Sequence, residues 1–421
     1  MRPAPILFLC LSFFAYRANA GETITDIRFV GNKVTQPRTM LQEMVVHVGD
    51  PANPGRIEKS RQAIMNLGLF KNVKTELLPD ANGKILQITV IEKFYFLPIP
   101  RLNRNADGDI SYGAQLRMDN VSGLNQQFRL TADKSRQAGT GIQTKNYSVD
   151  YSYPRIHGGP YNFDFSGQDQ PDKVTVAPDG VTPVEYNRES RSANFMVSRY
   201  LKSGGPSEGW RAGSGMARSE QVYSYVSGPS GLFNDNHATA WTNFVDYTMV
   251  QDYVYSREGK SYGYNMQVGI PLLGSDSRFA QHNFYYRQYI PVTSKTHHNL
   301  DIQFQLGLST GFSGPVYSLG GSGNLRGYPR NSIAGRSFLL TNIEYVAPID
   351  GHPAIRGVVF VDAGNTYDGN SSINPFRVRA DVGVGLRWRS ESFVKFELRL
   401  DFAYALNGPS HKIYAGSGQM F

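Results

Sequence analysis

Apolar positions recur along this chain with two different periods, and the change from one to the other divides it. Near the start, TITDIRFVGN alternates Ile24, Ile27 or Phe29 and Val30 ahead of a Gly-Asn turn, which predicts a strand. Pro37 then opens PRTMLQEMVV, with Met40, Leu41 and Met44 at helical spacing. Pro54 opens GRIEKSRQAIMNLGLF, with Ile57, Ala63, Ile64 and Leu67 on one side. Two alternating runs follow, FKNVKTELL and KILQITVIE, separated by the turn cluster PDANG. Residues 21–93 thus predict a small α+β domain of order β-α-α-β-β.

From about residue 94 the helical period disappears. VKFELRLDFAY puts Val394, Phe396, Leu398, Leu400, Phe402 and Tyr404 on one face, with Lys395, Glu397, Arg399 and Asp401 on the other. NLDIQFQLGL, YGAQLRM, NYSVDYSY, SYGYNMQVGI and RVRADVGVGLRWR repeat the alternation. A soluble β-sandwich also alternates, but these runs are about nine to eleven residues long, the length a tilted membrane strand needs. Charged residues occupy the polar face, as a wet lumen allows, and many of the 25 tyrosines and 24 phenylalanines crowd strand ends as interfacial girdles do. In lipid only a closed barrel satisfies every backbone group of such strands. The fold class predicted for residues 94–421 is a transmembrane antiparallel β-barrel, and at roughly 20 residues per strand and loop it has about 16 strands.

Composition fixes the address. Arg2, the apolar run Ile6–Ala15 and the small residues Ala18 and Ala20 read as a signal peptide over residues 1–20. The single cysteine, Cys10, lies inside it, so no disulfide scaffold is expected. The formal charge is +8, and removal of Arg2 and Arg17 leaves 8 minus 2, or +6. No block of five or six Lys/Arg appears, so nucleic acid is not an expected partner, whereas anionic lipid headgroups or a positively lined cavity are.

Candidate chemistry concentrates in GGSGNLRGYPRN, residues 320–331. Glycines and a proline there mark a shaped loop around Arg326. Within a polar lumen a guanidinium needs a carboxylate in planar, bidentate reach. Asp362, in GVVFVDAGN, shares strand parity with Val358 and Phe360; Glu344, in TNIEYVAPI, shares parity with Asn342. The expected first barrel strand, FYFLPIPRLN, carries Pro98 and Pro100, which belong at an edge.

Residues 22–93 resemble a POTRA (polypeptide-transport-associated) domain, with LGLF at residues 67–70 as the most telling local match. The whole mature chain resembles the BamA, TamA and two-partner-secretion superfamily of outer-membrane barrels, also called bacterial surface antigens. LRGY (Leu325, Arg326, Gly327, Tyr328) resembles that family's lumen-loop motif, VVFVDAG its aspartate-bearing strand, and NIEY the strand between. The resemblance implies that the loop enters the lumen and that Arg326 pairs with Asp362, with Glu344 nearby. It also implies that HKIYAGSGQMF, ending with Gly418 and Phe421, is a C-terminal assembly signal.

The functional expectation is an outer-membrane protein that assembles barrel proteins or translocates polypeptides. Its POTRA domain, in the periplasm, captures extended clients on the edge Val73, Lys74, Thr75, Glu76 and Leu77. Expected partners are the bilayer, lipopolysaccharide, unfolded clients and accessory assembly proteins. The alternative is a passive pore or structural surface antigen. No cofactor, metal or enzyme activity is expected: there is no G-x-S-x-G elbow, GGPSEGW (204–210) has P-loop glycines but Trp210 where lysine must be, and adjacent His297 and His298, read as strand residues, point to opposite faces.

Overall fold

In the computed structural model the described residues are 22–421, apart from 105–109, 137–142, 177–183, 203, 229–233, 293–295, 313, 409–410 and 418–421. The expected signal peptide, residues 1–20 with Cys10, and the expected assembly signal at Gly418 and Phe421 lie outside them.

The N-terminal domain follows the predicted order: β1 (Ile24–Val30), α1 (Pro37–Leu41), α2 (Pro54–Asn66), β2 (Phe70–Asp80) and β3 (Gly83–Glu92). Asn53 caps α2 by accepting from the Arg56 N–H, and Pro54 occupies the first turn, where a missing N–H costs nothing. The sheet order is β1-β3-β2, with β1 parallel and β2 antiparallel to β3. Ile24, Met40, Met44, Ile64, Leu69, Phe70, Leu86 and Ile88 form its core. α1 is shorter than the helical spacing predicts: it stops at Leu41, yet irregular backbone still delivers Met44 and Val46 to the core.

The rest closes into an antiparallel barrel of sixteen strands among the described residues, from Phe96–Arg104 to His411–Ser417, which are neighbours at the closure. In that count Tyr161–Asp169 and Asp172–Val176, which pair with the same strand, are one. The alternation sorts as read. Leu398, Leu400, Phe402 and Tyr404 lie exposed on the outer face, whereas Glu397 and Asp401 are buried inside. An aromatic row crosses five strands in register, Trp210, Tyr247, Tyr262, Tyr286 and Phe304, near the barrel end that faces the N-terminal domain. Its rings at Trp210, Tyr247 and Tyr262 are 5.4 and 5.2 Å apart. Such a band suits a headgroup interface.

Two readings change at that same end. Val394 and Phe396 do not extend the strand, which runs Glu397–Ala405; they lie in the preceding turn, and Val394 is buried in the N-terminal domain's core. His297 and His298 also lie in a turn, where His298 Nδ1 and the Tyr345 hydroxyl are 2.8 Å apart.

Barrel turns and the N-terminal domain share an interlocked contact. The Glu43 carboxylate accepts from Ser207 N–H (2.5 Å) and Ser207 Oγ (2.7 Å), with Arg155 Nε at 3.3 Å. Ser207 belongs to the GGPSEGW turn. Gln36 N–H and Thr39 Oγ1 donate to the Gly123 carbonyl, and Gln62 Nε2 donates to the Asp252 carbonyl.

Candidate functional site

The loop between Asn299–Thr310 and Ser337–Ile349 leaves the barrel at the end far from the N-terminal domain and folds back inside. A short hairpin, Tyr317–Leu319 with Ile333–Gly335, forms its neck. Gly320 and Gly321 adopt φ of +104° and +105°, a region that side chains strain to enter. A Cβ on Gly320 would also sit 2.0 Å from the Pro329 carbonyl oxygen. Asn324 Oδ1 accepts from Gly320 and Leu325 N–H, while the Asn324 carbonyl accepts from Asn342 Nδ2 on the wall. Leu325 and Tyr328 pack with Leu319, Ile333, Phe338, Leu340 and Ala405, an apolar plug in a polar lumen.

This scaffold holds Arg326, which is fully buried, in a charged socket. Its Nε and Nη2 donate to the two oxygens of Asp362, each at 2.7 Å, the bidentate arrangement expected of a guanidinium and a carboxylate. Nη1 donates to Glu344 Oε1 at 2.5 Å, and Cζ stands 3.4 Å from the Phe360 ring centroid. The partners are themselves held. Asn342 Nδ2 donates to Asp362 Oδ1 (2.8 Å), and Gln303 Nε2 donates to Asn342 (3.1 Å). Arg387 bridges Glu344 (3.0 Å) and Asp401 (2.5 Å), and Asp401 Oδ2 is 3.8 Å from Arg326 Nη1. A charge this buried is tolerable only with such surroundings.

Room for the socket comes from glycines. A Cβ on Gly327 would meet Asp381 Cβ at 2.6 Å, and one on Gly383 would meet the Phe360 ring at 2.2 Å. Asp381, also fully buried, lies directly across the ladder from Asp362. The loop also reaches the last two strands: the Tyr414 hydroxyl on His411–Ser417 donates to the Tyr328 carbonyl at 3.1 Å, and Arg399 Nη2 on Glu397–Ala405 donates to the Ser322 carbonyl.

The structure brings Leu325, Arg326, Gly327, Tyr328, Asp362 and Glu344 together. The sequence reading missed Phe360, Arg387, Asp401 and Gly383 as site residues. Strand parity already placed the first three on the inner face, but which inner-face residues meet the loop depends on barrel register. The segment Val73–Leu77 is elsewhere, on β2, which among the described residues is an edge strand of the N-terminal sheet.

Residues 120–421 match the Omp85 superfamily domain, and residues 22–93 match the POTRA family described as a surface antigen variable number repeat. An outer membrane protein assembly factor BamA from Neorickettsia risticii is 23% identical over 424 residues, covering 91% of this chain and 52% of that protein. A BamA from Nitratidesulfovibrio vulgaris is 34% identical over 74 residues, 18% of this chain and 9% of that protein. The chain therefore spans about half the length, or less, of these curated relatives. Among solved structures, CdiB from Escherichia coli has a TM-score of 0.67 at 15% identity, covering 94% of this chain and 76% of its own. BamA from Haemophilus ducreyi lacking POTRA domains 1-3 has a TM-score of 0.54 at 17% identity, covering 94% and 84%. Likeness at that identity establishes the fold.

Proposed function

The chain belongs to the Omp85 superfamily, and from that premise we propose that it works in the bacterial outer membrane, assembling outer-membrane proteins or translocating polypeptides. Its POTRA domain faces the periplasm, and its partners are the bilayer, lipopolysaccharide, extended clients and accessory assembly proteins. Clients add a strand to β2 at Val73–Leu77, where main-chain hydrogen bonds supply sequence-tolerant affinity. They then pass to the joint between the first and last barrel strands. There Pro98 and Pro100, on strand Phe96–Arg104, withhold two donors on one side of the strand, which makes the joint a weak one.

The observation that carries this reading is the locked lumen loop. A barrel whose task is passive diffusion gains nothing from an interior loop tied by a buried guanidinium to two carboxylates, whereas a barrel that parts at one joint needs its remaining wall braced. Arg326 ties the loop to Asp362 and Glu344, and Arg387 links that grip to Asp401, so four neighbouring strands on the C-terminal side are joined through side chains. The test is depletion of the protein followed by outer-membrane and secretome proteomics. Loss of a set of barrel proteins or of an exported polypeptide is expected; an unchanged profile favours the passive pore.

A further inference from the structure

At the base of the barrel the chain leading into the first strand skips its ladder neighbour. Phe94 N–H donates to the Ser392 carbonyl (2.7 Å) and Val394 N–H donates to the Phe94 carbonyl (3.3 Å), a parallel bridge between Phe94 and Phe393. Residue 393 lies in the turn before Glu397–Ala405, the penultimate strand, not in the last strand. The first and penultimate strands therefore start as a bridged pair and then diverge, and His411–Ser417 occupies the gap between them.

The base of this fork is anchored on three sides. Val394 is buried in the POTRA core. Lys71 of β2 donates to Ser392 Oγ (3.2 Å) and lies 5.9 Å from the Phe94 ring centroid. On the neighbouring barrel strand, Arg117 Nη1 donates to the Lys395 carbonyl (3.3 Å) and Asp119 N–H donates to the Tyr95 carbonyl (2.7 Å). The Phe94 and Phe393 rings stand 5.6 Å apart, and the row continues through Phe396 to Trp388 at 6.0 and 6.2 Å.

Among the described residues the last strand has a seven-residue ladder to the penultimate strand, and it faces a first strand in which two residues lack an N–H. On the lumen side the Tyr414 hydroxyl reaches the Tyr328 carbonyl, the backbone of the loop that Arg326 anchors.

We propose that the Phe94–Phe393 fork is a fixed hinge for the barrel joint, and that Tyr414 is the catch that ties the closing strand to the lumen loop. Release of the loop then frees the last strand above a base that stays shut. Opening is confined to the half of the joint away from the periplasm, and the POTRA edge and the hinge move as one body. The inference rests on the joint being where clients are handled, but its first test needs no client.

That test is amide hydrogen exchange on the full chain in lipid nanodiscs. The Phe94 and Val394 amides are expected to exchange on the order of tenfold or more slowly than those of His411–Ser417. Tyr414→Phe, which keeps the ring and deletes the hydroxyl, is expected to speed exchange of His411–Ser417 and leave Phe94 and Val394 unchanged. Base amides that exchange as fast as those of the last strand, or a Tyr414→Phe chain indistinguishable from the parent, overturn the proposal. A second arm uses an oxidised Phe94→Cys/Phe393→Cys pair, whose backbone spacing as a bridge suits a disulfide. Cross-linking is expected to leave client handling intact. Loss of handling that reductant restores overturns the hinge, whereas absence of any client effect in the depletion strain bears on the functional reading alone.

Discussion

Arg326 sits over the face of Phe360, 3.4 Å from its ring centroid, while gripping Asp362 two residues along the same strand. One inner-face row therefore supplies both an aromatic seat and a carboxylate for the same guanidinium. The first excludes water and the second balances the charge.

Charge removal at this pair should be costly. Asp362→Asn leaves a buried guanidinium without its bidentate partner, with an expected loss on the order of 3 kcal/mol. Arg326→Lys keeps the charge but cannot form the fork or cover the ring. Heat-modifiable gel migration should show both variants unfolding at lower temperature than the parent. Parent-like behaviour of Asp362→Asn would mean the pair is dispensable.

Steric demands at the socket can be separated from charge. Gly327→Ala and Gly383→Ala place a Cβ at 2.6 Å from Asp381 Cβ and 2.2 Å from the Phe360 ring, so each should dislodge the loop. Gly323→Ala, with nothing within 4 Å, should be silent. Protease susceptibility of the loop ranks the three, and equal protection of all would contradict the packing described.

The POTRA edge can be blocked without breaking the sheet. Arg61 Nη1 donates to the Val73 carbonyl (3.5 Å), so Val73 directs its backbone groups away from β3, and Thr75 and Leu77 share that direction. Thr75→Pro removes an outward N–H and should abolish binding of an extended peptide while the domain stays folded. Lys74→Pro removes an inward one and should unfold it. Calorimetry with a model strand peptide checks both; undiminished binding by Thr75→Pro would place the client elsewhere.

Docking of the POTRA domain should depend on pH through Glu43. Burial pushes this carboxyl above its ordinary range, against the pull of Arg155 and the two Ser207 donors. A raised value in the docked state means that docking binds a proton. Docking therefore strengthens as pH falls towards the ordinary carboxylate value of 4.5 and weakens as pH rises through the raised one. Spin-label distances between the domains should show less of the undocked population at low pH. Glu43→Gln should flatten the trend, and a trend of opposite sign would exclude Glu43 as its source.

Much of this was legible in the chain. Period-two alternation gave the barrel and its inside face because a lumen and a bilayer impose opposite demands on successive residues. Charge and parity made Asp362 and Glu344 candidate partners for Arg326, and the family resemblance implied their pairing. Arg387 and Asp401 could not be placed beside them, because strand stagger, which no local pattern encodes, decides which inner residues meet. Val394 illustrates the converse: it continues the alternation of its strand, yet the chain turns first and spends that valine on the core of another domain.

The central claim is that the loop stays inside the barrel because Arg326 is locked to Asp362. Maleimide labelling of Leu325→Cys in intact cells tests it most directly, since Leu325 is wholly buried beside the guanidinium and the one native cysteine is Cys10. The parent background should stay unlabelled, and adding Asp362→Asn should expose the thiol. Equal labelling with and without Asp362 would contradict the account.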